Sequence, residues 1–270
     1  MRQHSLSGLA AVLAAACAAG TAGSTLGFRP TDTPLRYEVS TAQDAVIETP
    51  MGTQASRDSG RATVRLEFGR QGAEGTQVSG VFEAFDAWLE QRGRIEGGEL
   101  IGRRYSGTLA PSGTIEITDT PATPDHLKDF FDPRALFVDL MVPLPPTGQA
   151  GREPWPVRQA ITSRTSLTLT GVLDGWGRLA GDTTWNGQQA RIILVEGSYK
   201  LEGAGLASGS VELSLTTTGT STSRYVWDAE RGVMLASVGT IEVEGEATVQ
   251  GIDEPLPVRL KRVKRVALTS

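Results

Sequence analysis

The chain has 270 residues, of which 39% are hydrophobic and 21% charged, with a formal net charge of −5. Enough apolar side chain is present to build a core, which excludes disorder along the whole length. The acidic balance excludes a general electrostatic attraction for nucleic acid, and 32 glycines without a collagen period mark turns between many strands.

Residues 1–16 read as an export signal. Arg2 gives the positive start, and Leu6 through Ala16 form an apolar run, shorter than the roughly 20 residues that cross a bilayer. Cys17 is the only cysteine, so it has no partner for an internal disulfide. It follows Leu13-Ala14-Ala15-Ala16 and resembles the lipobox of bacterial lipoproteins, with Ala14 where leucine is commonest. The resemblance implies that Cys17 is acylated and becomes the mature N-terminus, and Ala18 behind it implies the outer membrane, facing the periplasm. Cleavage after Ala18 would instead release a plain secreted or periplasmic chain. Residues 17–34, with their Gly, Thr, Ser and Pro, read as a tether.

Residues 35–270 read as a single β-rich domain. Leu35, Tyr37 and Val39 alternate with polar residues, as do Val64, Leu66 and Phe68. This period of two marks half-buried antiparallel strands. Residues 76–91 fit two templates. Val78, Val81, Phe82, Phe85, Trp88 and Leu89 have helical spacing, but Gly80 costs a helix about 1 kcal/mol, and Phe82, Ala84 and Trp88 share one face of a strand. The strand is the reading adopted. Tyr105 to Leu109, Ser112-Gly113 and Ile115 with Ile117 read as strand, turn, strand.

Two short helices are expected near 124–142. Thr123-Pro124 and Asp132-Pro133 are both N-cap and first-turn proline signals. Leu127, Phe130 and Phe131 fall on one helical face, and Leu136, Phe137, Leu140 and Met141 on the next. Pro143, Pro145 and Pro146 end the segment. This insert divides the domain into strand-rich halves of about 35–120 and 157–268.

In the second half, Leu167 and Leu169 alternate with threonines, and Val211, Leu213 and Leu215 with Glu212 and Ser214. Asn186-Gly187 predicts a type I′ hairpin, and Glu230-Arg231-Gly232 another turn. The last strand, Val258 to Leu268, carries Arg259, Lys261, Arg262, Lys264 and Arg265. Its apolar phase is lost after Leu260, which predicts a bulge near Lys261, and its charge predicts a solvated edge strand or, as the alternative, a strip that contacts phosphate or anionic lipid.

Few residues carry chemistry. His126 is the only histidine beyond the leader, and Asp125, Asp129 and Asp132 around it suit the start of a helix. Neither a metal nor a cofactor is implied. Gly175-Trp176-Gly177-Arg178-Leu179-Ala180 fits a loose dinucleotide pattern, yet a strand rather than a helix follows it, so no phosphate site is expected. Glu242 and Glu244 share a strand face and read as exposed acids. The remaining candidates are aromatic: Phe130, Phe131 and Phe137 on the helices, and Trp88, Trp185 and Trp227 on strands. They suit either ordinary core packing or an apolar cavity under a curved sheet.

Leu35-Arg36-Tyr37, Leu144-Pro145-Pro146 before Trp155, and Tyr225 through Gly232 fall into an order of strands, helical insert and strands behind a lipobox-like leader. That order resembles LolA/LolB-like envelope proteins and related secreted bacterial β-proteins. The resemblance implies a curved antiparallel sheet or half-open barrel with helices across its mouth, and no residue role is carried over from it. The expectation is a mainly β, exported, lipid-anchored and non-enzymatic envelope protein. It would hold an apolar small molecule or lipid between sheet and helices, through Phe130, Phe131, Phe137, Trp88, Trp185 and Trp227. The alternative is a structural or protein-interaction lipoprotein with a filled core.

Overall fold

The computed structural model describes residues 26–29, 31–72, 75–146, 153–207 and 211–269. The segment expected to be an export signal, and Cys17, lie outside them.

Alternating sequence becomes strand almost throughout. The first run holds β1 (Leu35–Thr49), β2 (Gly52–Gln71), β3 (Thr76–Leu89), β4 (Gly93–Glu96), β5 (Arg104–Leu109) and β6 (Ile115–Asp119). After one helix, α1 (Pro133–Val138), the second run holds β7 (Trp155–Arg164), β8 (Leu167–Trp185), β9 (Gln188–Ala207), β10 (Val211–Asp228), β11 (Val233–Val249) and β12 (Leu256–Leu268). Residues 76–89 are strand, as read, with 90 and 91 in the following turn. The expected shared face is corrected, because a bulge between Phe82 and Ala84 leaves Phe82 in the core and turns Ala84 and Trp88 outward.

All twelve strands form one antiparallel sheet in the order β6-β5-β3-β2-β1-β12-β11-β10-β9-β8-β7, with β4 paired to β3. The sheet is open, and β6 and β7 are its edges. The two runs of strands join where β1 pairs β12, for example at Val39 opposite Val266. At 20 residues, β2 and β9 are each roughly 65 Å long at the usual rise per residue. Tight turns make such lengths possible, with Asn186 at φ 47° and Gly187 at φ 82° closing the β8–β9 hairpin.

The sheet coils. At Gly219 on β10, an added Cβ would lie 1.9 Å from the carbonyl oxygen of Glu242 on the neighbouring strand. Only glycine permits this approach, which bends the sheet around its inner face. The chain between β6 and β7 then bridges the two edges. Leu144 N–H bonds to Ser112 O at 2.9 Å, and Trp155 Nε1 donates to Pro143 O at 3.3 Å.

The core fills the space between inner face and bridge. Trp155, Trp227, Tyr37, Tyr105, Phe82 and Phe137 are its largest fully buried side chains, each contributing roughly 2–3 kcal/mol by transfer from water. Phe137 of α1 drops onto Gly80 of β3, where an added Cβ would stand 2.0 Å from its ring. Its ring lies 5.2 Å from that of Phe82 and 5.1 Å from that of Tyr105. A second cluster, Ala247, Leu256 and Val258 with Ile47, Leu213 and Leu215, serves the far end of the sheet.

Three further expectations are corrected. First, one of the two helices forms. Asp132 caps α1 by accepting from Arg134 N–H at 3.0 Å, with Pro133 in the first turn. Upstream, the expected helix is one stretch of turns, with Leu127 and Lys128 N–H bonding to Pro124 O, and Phe130 and Phe131 N–H to Leu127 O. Pro133 has no N–H and disfavours helical geometry at Asp132, so the segment is too short to propagate.

Second, β12 is central rather than an edge, and it carries no bulge. Its register runs unbroken against β1 and β11. The inward phase continues through Leu256, Val258, Leu260, Arg262, Lys264 and Val266; two of these positions are charged because they meet Asp139 below α1. Third, the expected tether is partly docked. Leu26 is buried, Phe28 packs against Phe68 and Trp227, and Arg29 N–H bonds to Gly232 O at 3.1 Å. Two large apolar residues in a Gly- and Thr-rich stretch find a place on the β10–β11 turn.

Candidate functional site: a groove on the outer face

The six aromatic candidates are not brought together. Phe137 is core. Phe131 packs on Phe82 and Phe85 with ring centres 5.9 and 4.5 Å apart. Phe130 lies under the Arg92 guanidinium, 6.0 Å from its ring centre. Trp227 is fully buried beside Phe28. Trp88 is 55% exposed on the outer face. The space between α1 and the sheet is therefore occupied by side chains, and a ligand between sheet and helices does not fit there.

What remains below α1 is a polar cleft of about 40 Å³, lined by Asp139, Arg262, Lys264, Tyr199 and Tyr225 among others. Lys264 Nζ donates to the Asp139 main-chain oxygen at 2.9 Å and lies 3.1 Å from its carboxylate, with Arg262 at 3.7 Å. Burial acts to raise the Asp139 pKa, but Lys264 and Arg262 outweigh it and hold the carboxyl below its usual range. Burial lowers the Lys264 pKa, against the pull of Asp139. Burial also pushes Tyr199 and Tyr225 up to about 12. Both phenols are neutral at pH 7, and this cluster fastens α1 to the sheet.

The acids around His126 are engaged elsewhere. Asp125 pairs with Lys128, Asp129 with Arg92, and Asp132 caps α1. His126 Nε2 lies 3.2 Å from Glu96 O. No three His, Cys, Asp or Glu side chains converge as metal ligands among the described residues. Glu242 and Glu244 sit exposed on β11 beside Lys261 and Arg259, at 2.6 and 3.9 Å. Gly175 to Leu179 lie inside β8, with no helix to face a phosphate.

A groove of about 880 Å³ lies on the other side of the sheet. Two cross-strand rows of outward residues build it. Ala84, Thr63, Glu38, Ala267, Ala236 and Val226 run across β3, β2, β1, β12, β11 and β10 in register. The next row holds Asp86, Arg61, Ser40, Arg265, Val238 and Arg224 on the same strands. Trp185, at the tip of the β8–β9 hairpin, closes one end, and Arg94 the other, held by Asp86 at 2.8 Å.

Val226 and Ala236 are buried although they point outward, so the floor beside Trp185 is shielded apolar surface. Of the six aromatic candidates, Trp185 alone lines this groove. Sequence reasoning missed the rest because each groove residue is an ordinary outward position on its own strand. The arginines of β12 were visible as a basic run, but their division between two faces was not.

The fold thus defines a class: a mainly β protein built on one open, twelve-stranded antiparallel sheet. No family model matches the chain, and no curated protein does. Among solved structures it is similar to Pseudomonas aeruginosa OccK2 at 7% identity and a TM-score of 0.28, over 89% of this chain and 99% of that one. A loop-deletion mutant of OmpT, an outer membrane protein of Vibrio cholerae, gives 8% identity and 0.22, over 88% and 99%. A Vibrio parahaemolyticus domain described as lipoprotein-sorting gives 7% and 0.16, over 86% and 83%. Likeness of this order carries no functional argument.

Proposed function

We propose that the chain is an exported, non-enzymatic envelope protein, tethered by a lipid on Cys17, that binds an apolar small molecule or lipid in the outer groove. One observation carries the binding reading: a concavity within the usual size of small-molecule pockets, floored by Val226 and Ala236 and walled by Trp185. Export and anchoring rest on the leader and on the placement of Cys17.

Titration with the apolar fluorophore N-phenyl-1-naphthylamine tests the binding. The full chain enhances its emission, and Trp185→Ala lowers the affinity at least fivefold with an unchanged circular dichroism spectrum. Equal binding by the variant removes the groove from consideration. A mass beginning at Cys17 with acyl additions, on protein taken from its own envelope, supports the anchor; a mass lacking Cys17 sinks it.

A second reading, a protein-interaction module, is favoured by the filled interior together with Trp88 and Trp176, 55% and 61% exposed. Both project from the outer face, at opposite ends of the row next to the arginines. It moves ahead if no apolar probe binds.

A further inference from the structure

The groove's arginines belong to a longer series. Arg61 on β2, Arg265 on β12, Arg224 on β10 and Arg178 on β8 occupy one cross-strand row, on alternate strands. Strand spacing sets neighbours in the series roughly 10 Å apart. Between them stand Ser40, Val238 and Leu194, none of them acidic.

None of the four makes a hydrogen bond or ion pair with a described residue. Many other cations on the sheet are paired, among them Arg36 and Arg65 with Glu83, Arg57 with Asp44 and Lys261 with Glu242, while Arg70 and Arg158 stand alone among the described residues and belong to no such row. The chain has more acids than bases, so partners were available. The carboxylates near the row are Glu38, Asp86 and Glu196, and Asp86 is taken by Arg94. The groove itself therefore sets three unpaired arginines against Glu38.

We infer that the groove takes a single anionic amphiphile, its carboxylate or phosphate held by Arg61, Arg265 and Arg224 and its chain laid along Ala236 and Val226 toward Trp185. This deepens the binding reading above and rests on it. Guanidinium groups match such oxyanions with paired, charge-assisted hydrogen bonds. The adjoining row supplies shielded apolar surface, which a bare inorganic anion would not use.

Calorimetric titration of the full chain with dodecyl phosphate below its micellar concentration tests this, beside dodecanol and inorganic phosphate. Dodecyl phosphate binds one per chain, at least tenfold tighter than either comparator. Arg265→Gln or Arg224→Gln weakens it roughly tenfold, the size of one charge-assisted hydrogen bond, and leaves dodecanol unaffected. Added salt weakens dodecyl phosphate alone. An unchanged melting temperature shows that the variants fold.

If dodecanol binds as tightly as dodecyl phosphate, the anion site is overturned while the apolar groove stands. If inorganic phosphate matches dodecyl phosphate, the amphiphile is overturned in favour of a simple anion. If neither alkyl compound binds, both readings fall. Binding to phosphatidylglycerol vesicles without binding to monomeric dodecyl phosphate overturns the groove in favour of a membrane-facing sheet.

Discussion

Thr217 sits on the inner face of β10, 2% exposed, and its hydroxyl has no hydrogen-bond partner among the described residues. A buried polar atom left unpaired costs roughly 1–3 kcal/mol. Thr217→Val keeps the shape and removes the hydroxyl. It is expected to stabilise the protein by about 1 kcal/mol, which in a chain of this size raises Tm by roughly 2–4 °C. A lower Tm by calorimetry would mean that the hydroxyl is satisfied. The strand was legible from its Thr alternation. Which threonines lie under other strands was not, because burial depends on the coil of the sheet.

At the scale of elements, Asp132 ties two pieces of chain together. Its carboxylate accepts from Arg134 N–H at 3.0 Å, closing the start of α1, and from Arg164 N–H at 2.8 Å, at the end of edge strand β7. The side chain is 3% exposed. Asp132→Ala loses both bonds and is expected to cost roughly 2–3 kcal/mol. The loss would be read as a lower denaturant midpoint at unchanged slope. Asp132→Asn keeps the capping oxygen and should recover part of it; equal losses would show that charge rather than geometry matters. The cap was legible because Asp-Pro is a local signal. The bond to Arg164 was not, because it joins residues 32 apart.

For the molecule as a whole, an open sheet with unlike edges needs something to hold its curl. The bridge between β6 and β7 does so, and its ionic anchor is Asp139 with Lys264 and Arg262. The Asp139 pKa is lowered in the folded state, so its contribution is full above the unfolded value of about 3.9 and lost as pH falls through the folded one. Asp139→Asn leaves Lys264 without its counter-charge and is expected to cost roughly 2 kcal/mol at pH 7. The Tm gap between wild type and variant should start to narrow as pH falls below about 4, where the unfolded carboxyl takes up its proton, and close as pH falls through the lowered folded value. A gap constant from pH 7 to pH 2.5 would show that the carboxylate's charge does not hold the bridge.

By itself the sequence determined what is local. Alternation with period two gave the strands, Asn186-Gly187 and Glu230-Arg231-Gly232 their turns, and Asp132-Pro133 the start of α1, since each signal acts within a few residues. Tertiary structure alone decided that β12 lies at the centre, that Arg262 and Lys264 turn inward while Arg265 turns outward, and that Arg61, Arg265, Arg224 and Arg178 share a row. The physical reason is pairing. A strand's alternation tells which residues share a face, but the partner strand and its register decide what those residues meet, and here the first and last strands of the domain meet each other.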